Sequence, residues 1–282
     1  MGAPLSDLSF SLVGPGRVGR SLAAWATARG ARCSGVAGRR ELASLTTAGQ
    51  DLLLLAVPDG AYAAVAAELS QRPQAAVALH TAGSLDAEAL APLRKAGAAI
   101  GSLHPLKAFP HPLPDPEQAR GVFFAVDGDP AAQALACRLA AAWDAEAAEV
   151  PAAARTLYHF AATLAAGGVV TLLSTAEDIA ARLGLPEAVT RGYLELCRGA
   201  VAAAAEAHAA GRPLAAALTG PAARGDRATV ERQLGALAGL APEKLPLIVA
   251  LAQETLRQRE RAGALTVEQR ELMAALAAAH RA

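Results

Sequence analysis

Apolar residues in the first half of the chain come in short, nearly unbroken runs. Amphipathic stretches of helical period separate them. Leu8–Val13, Ala76–Thr81, Ala98–Leu103, Val122–Val126 and Ala147–Val150 read as strands, and Arg32–Ala37 and Leu52–Val57 read as buried ones. Val18–Arg29, Ala61–Leu69, Ala87–Ala96 and Pro130–Trp143 read as the helices between them. This alternation predicts a doubly wound, mostly parallel α/β sheet covered on both faces. Between Leu106 and Gly121 the pattern breaks. Prolines at 105, 110, 112, 114 and 116 remove backbone donors there and exclude a helix or a central strand, so an irregular surface loop is expected.

After Pro151 no strand pattern recurs. Arg155–Leu183, Pro186–Ala210, Thr229–Leu237, Glu243–Ala262 and Thr266–His280 read as helices. Gly184, Gly211 and Gly263 stand where helix ends are expected, with Pro186 and Pro213 just beyond the first two. Residues 1–150 are therefore expected to form an α/β domain and residues 151–282 an all-α domain. Phe160–Ala176 carries no charge, but it is shorter than the ~20 residues of a membrane span. It reads as a buried helix of a bundle.

Composition narrows the function classes. The formal net charge is zero and aromatic residues make up only 4% of the chain, so neither phosphate-backbone binding nor base stacking is favoured. Cys33, Cys137 and Cys197 are too few and too scattered for a disulfide frame or a zinc site, and read as small buried apolar side chains. No two histidines have metal-ligand spacing beside an acid, so no metal is expected. The unpaired cysteine pattern fits a reduced, cytoplasmic protein, and the first residues lack the features of a secretory signal.

Chemistry enters with Gly14-Pro15-Gly16-Arg17-Val18-Gly19, a G-x-G-x-x-G placed between an expected strand and an expected helix. Gly14 permits the tight turn, Gly16 leaves room for a pyrophosphate, and Gly19 lets the helix pack close to the strand. The free N–H groups at the helix start attract phosphate. The second strand ends in Gly38-Arg39-Arg40 with no acid before Glu41. Two guanidiniums suit a 2′-phosphate, so the expected cofactor is NADP rather than NAD. A ligand on a doubly wound sheet sits beyond the carboxyl ends of the strands, where Val57-Pro58-Asp59, Thr81-Ala82-Gly83-Ser84 and His104 fall.

These motifs, with Ser102-Leu103-His104-Pro105-Leu106, Tyr158-His159 and the stretch from Ala217 to Asp226, resemble the Rossmann-like proteins that carry a C-terminal DUF2520 domain. That family is distantly similar to pyrroline-5-carboxylate reductase, 6-phosphogluconate dehydrogenase and the F420-dependent NADP oxidoreductases. The resemblance spans nearly the whole chain and implies fold and cofactor more sharply than reaction. Two positions depart from the family's pattern. Arg155 stands where a lysine usually precedes the Tyr-His pair, and Ala166-Gly167 stands where a Ser-Asn pair usually follows. Arginine does not give up its proton as a lysine can, so catalysis by the usual group is in question.

The expected function is an NADP-dependent oxidoreductase acting on a small carbonyl or imine in the cleft between the domains. His104 and His159 are its acid–base candidates. Val57, Pro58 and Thr81 join the glycine loop, Arg39 and Arg40 as cofactor contacts, while Ser84, Tyr158, Arg224 and Asp226 are substrate candidates. Asp59 and Asp226 equally suit helix capping. Gly167 and Gly168 fit a close helix crossing or close approach of a ligand. The rival class is a catalytically degenerate NADP-binding sensor or scaffold. Apolar helices after residue 160, with Leu172-Leu173, Leu247-Ile248-Val249 and Leu251, point to a homodimer, as the resemblance to dimeric reductases also implies.

Overall fold

A computed structural model describes residues 2–279; His280, expected to end the last helix, lies outside them. The chain divides into two compact units, Met1–Gly168 and Val169–Ala282.

The first unit is a seven-stranded sheet of order β2-β1-β3-β4-β5-β6-β7. Its strands are β1 (Ser9–Val13), β2 (Arg32–Ala37), β3 (Leu52–Leu55), β4 (Val77–His80), β5 (Ala99–Pro105), β6 (Phe123–Gly128) and β7 (Glu146–Glu149). All neighbouring pairs are parallel except β5 and β6, which run antiparallel with His104 opposite Ala125. Between the strands lie α1 (Arg17–Ala28), α2 (Tyr62–Leu69), α3 (Ala91–Lys95) and α4 (Pro130–Ala142). The chain is thus an α/β Rossmann-type region followed by a helical one.

β3 shows why the apolar runs are unbroken. Leu52 and Leu54 enter the core under α1 and α4, while Leu53 and Leu55 enter the core under α2. A strand buried on both faces needs apolar residues at every position. The first core centres on Trp25, Trp143 and Phe124, with the two indoles edge to face at 5.8 Å. β2 is different. It is an edge strand, and of its residues only Ala37 is buried, so the expected buried strand is corrected to an exposed edge. Cys33 is exposed on that edge, Cys137 is exposed on α4 and Cys197 is only half-buried, so the cysteines are not core residues.

α5 (Arg155–Thr163) follows the sheet, and one π-helical turn at Leu164–Gly168 joins it to α6 (Val169–Arg182). The alternation of strands and helices ends at Glu149, while the first compact unit continues through α5 to the π turn. The second unit continues with α7 (Ala188–Ala209), α8 (Gly220–Arg224), α9 (Arg227–Leu240), α10 (Leu245–Ala262) and α11 (Val267–Ala279). Val230, Val249, Leu256, Leu272 and Leu276 form its core. The helical stretch Ala152–Arg182 departs from the buried helix expected there. None of its most apolar part is buried, and by length and composition alone it is long enough to cross a membrane. Leu157, at 73% exposure, and Phe160, at 59%, lie on its open face.

Candidate functional site

Two cavities lie at the ends of the strands in the first unit. One, of about 870 Å³, is walled by the glycine loop, Gly38, Arg39, Val57, Pro58 and the start of α2. The loop glycines divide the work. Gly14 has φ +90°, and a Cβ there would overlap the Ala56 carbonyl. A Cβ on Gly19 would overlap the Gly14 carbonyl. A Cβ on Gly16 would meet nothing within 4 Å, so this glycine keeps open space that the protein itself does not fill. Gly16 is also the N-cap of α1, with no side chain capping the helix, which leaves its N-terminal amides toward that space. Pro15 lines the cavity, and its carbonyl accepts from Arg20 Nε at 2.7 Å. Arg17 reaches the Pro110 carbonyl at 3.4 Å, and Val18 packs onto the core beneath the helix. Arg40 is exposed beside the cavity without lining it. Glu41, the first acid after β2, accepts from Gly38 N at 3.0 Å.

The second cavity, of about 650 Å³, is lined by His104, Lys107, Tyr158, His159 and small residues up to Gly167. β5 supplies His104, and α5 brings Tyr158 and His159 onto it. His104 Nδ1 lies 3.0 Å from the Tyr158 hydroxyl, and the His104 and His159 rings meet edge to face at 5.5 Å. His159 Nδ1 is buried without a hydrogen-bond partner. Gly83, from the turn after β4, fits against both rings: a Cβ there would collide with His159 Nδ1 and His104 Nε2. Burial, then the His159 imidazole and the Arg155 guanidinium, push His104 down to about 4 against the opposing pull of Asp59. His104 is therefore neutral at physiological pH. Burial raises the Tyr158 phenol, so it keeps its proton.

Arg155 is 1% exposed. Its guanidinium pairs with Asp127 on β6 at 3.2 Å, donates to Ser102 Oγ on β5, and reaches the Val150 carbonyl at 3.3 Å. It rivets α5 to the sheet one turn before Tyr158. Ser102 was legible only as part of a family motif and Asp127 carries no sequence signal, because a strand serine and a strand aspartate show no link to α5 until the helix that covers them is known. Tyr62 was equally silent. It is buried on α2, and its hydroxyl donates to the Leu55 carbonyl and approaches Thr81 Oγ1 at 3.4 Å. Ser84 Oγ donates to Asp59 at 2.7 Å, tying the end of β3 to the end of β4. His80 is buried and structural, accepting from Ala82 N and donating to the Asp86 carbonyl.

The other candidates lie in the second unit or on the π turn. Asp226 caps α9 by accepting from Thr229 N at 3.1 Å, and Arg224 is exposed. Gly225, at φ +76°, ends α8 against Gln269 of α11, whose side chain donates to the Ala223 carbonyl. The 217–226 motif thus joins three helices. Among the described residues a Cβ on Gly167 would meet Thr163 Cγ2 at 3.9 Å, and Gly167 borders the second cavity.

Fold and loop define a Rossmann-type protein with a helical extension. Family models place it further: the description "Domain of unknown function (DUF2520)" matches residues 122–258, and a Rossmann-like domain matches residues 39–105. The chain thus carries a Rossmann-like match followed by a DUF2520 match. No curated protein sequence matches it. Among solved structures, it is similar to protein TM1727 from Thermotoga maritima (21% identity, TM-score 0.65, covering 89% of this chain and 99% of that one). It is also similar to BF3122 from Bacteroides fragilis, named provisionally as an NADP oxidoreductase (18%, 0.69, covering 88% and 97%). A third is the pyrroline carboxylate reductase of Plasmodium falciparum, solved with NADP bound (11%, 0.56, covering 90% and 98%). At these identities the likeness is one of fold.

Proposed function

We propose that the chain is an oxidoreductase that holds NADP(H) on the glycine loop and reduces a small carbonyl or imine compound. The observation that carries this is the open space at Gly16, kept clear at the start of α1 and walled by Arg39. An alanine would fit the protein there, and the open space belongs to the cavity walled by the glycine loop. Amides at the helix start suit a pyrophosphate, and Arg39 with Arg40 suits a 2′-phosphate. Val57 and Pro58 line the cavity of the loop, as cofactor contacts would, whereas Thr81, just after β4, does not line it. A nicotinamide bound there would supply hydride. The cavity of His104, Tyr158 and His159 would hold the substrate, and its small apolar walls would keep water from the reacting group. The named relatives include nicotinamide-dependent reductases, which agrees with this reading.

Arg155 favours a second reading, a protein that binds NADP without turnover. Where the family's pattern has a lysine, this chain has an arginine committed to Asp127. NADPH oxidation assayed against a panel of small aldehydes, ketones and cyclic imines separates the two. The proposed enzyme oxidises NADPH with at least one member, and His104→Ala lowers kcat by about 10²-fold while NADPH affinity is kept. NADPH binding with no turnover on any member favours the sensor.

A further inference from the structure

His104 cannot act through its charged form near neutral pH, so its usefulness depends on which nitrogen carries the single proton. The surroundings of the ring answer this. Nδ1 faces the Tyr158 hydroxyl at 3.0 Å. The phenol is protonated and can offer its hydrogen, and a nitrogen that accepts it must be bare. Nε2 lies against Gly83, on the side where Nδ1 of His159 is buried without a partner.

We propose that Tyr158 is a positioning residue: by donating to Nδ1 it fixes His104 in the tautomer whose proton sits on Nε2, next to His159. His104 then presents a neutral N–H donor to the cavity it lines, and this holds across the physiological pH range. The inference rests on the reductase reading for its chemical use, though not for the tautomer itself.

In the proposed reduction, a nicotinamide held at the glycine loop would supply hydride to the substrate carbon. The π pair moves onto oxygen or nitrogen, and that atom takes the Nε2 proton, whose bonding pair stays on the ring. Nδ1 takes the phenol proton at the same time, so the imidazole stays neutral while Tyr158 is briefly a phenolate. The phenol then regains its proton from Nδ1 and water returns one to Nε2, which restores the start. One water-derived proton is consumed per turnover.

The groups facing His104 decide how it titrates. His159 and Arg155 on α5 and His80 on β4 oppose its protonation, while Asp59 beyond β3 favours it. Gly83 sets the spacing, since any side chain there would push the two imidazoles away.

Long-range ¹⁵N–¹H NMR of the histidine rings in the full chain tests this without any turnover. The expected spectrum shows His104 protonated on Nε2 and bare on Nδ1, and still neutral when the pH is lowered past the usual histidine value. Tyr158→Phe keeps the ring but removes the donor, so it should mix the two tautomers. It should also lower kcat on order 10-fold or more with little change in KM, because a fraction of the enzyme then presents the wrong nitrogen. A His104 protonated on Nδ1 in the wild type overturns the proposal, as does a Tyr158→Phe spectrum identical to it. If the tautomer is as stated but no substrate of the panel turns over, the positioning role of Tyr158 is upheld and the reductase reading falls.

Discussion

At the residue scale the site is built from groups whose chemistry depends on burial. His80 and His104 are both held below the ordinary histidine range, chiefly by loss of water. An unfolded chain takes up these protons near pH 6.5, whereas native His104 resists until about 4. Between those values the unfolded state binds more protons, so stability rises with pH there. The contribution is complete above the unfolded value and is lost as pH falls toward the folded one. Urea midpoints are therefore expected to drop between about pH 7 and about pH 5, a window above the carboxylate range. His104→Asn should flatten part of that slope. Equal midpoints at the two pH values would show that the imidazoles are not buried as described.

At the element scale, α5 is the part that makes the second cavity, and Arg155 is what seats it. The pair with Asp127 is buried on both sides. Removing one partner of a buried pair leaves the other charge unpaired in low dielectric, at a cost of about 3–5 kcal/mol. Arg155→Ala should lose stability of that order by denaturant unfolding and weaken the contact between His104 and Tyr158. A loss below about 1 kcal/mol, typical of exposed pairs, would contradict the rivet.

The same elements show what could be read in advance. The order of strands and helices, the glycine loop and the approximate ends of most elements were legible, because apolar runs and glycine–proline punctuation are local signals. The edge position of β2 was not, since a run such as Gly35-Val36-Ala37 looks the same at the edge as inside a sheet. The His104–Tyr158–His159 group was nominated residue by residue. Its assembly was invisible, because it depends on α5 crossing the end of β5, and that crossing is set by Ser102 and Asp127 far away in sequence. Gly83 was legible as part of a turn motif, but not as the contact that spaces two imidazoles.

At the scale of the molecule, the open apolar face of Ala152–Arg182 is the feature a single chain leaves unexplained. Contiguous apolar patches of this kind mark association surfaces. We propose that a second copy of the chain covers it, together with exposed leucines such as Leu194 and Leu196 of α7. Such an interface would be apolar and two-fold, as obligate dimer interfaces are. Sedimentation at low micromolar concentration without detergent should give the dimer mass, and Leu157→Glu with Leu196→Glu should give monomer. A wild-type monomer, or a protein that needs detergent to stay in solution, would defeat this assignment. The central claim concerns the groove at Gly16, and calorimetric titration with NADPH and with NADH tests it most directly. The account predicts that NADPH binds more tightly than NADH, and that Arg39→Ala with Arg40→Ala removes most of the difference. No heat from either dinucleotide, or equal affinity for both in the unmutated chain, would contradict it.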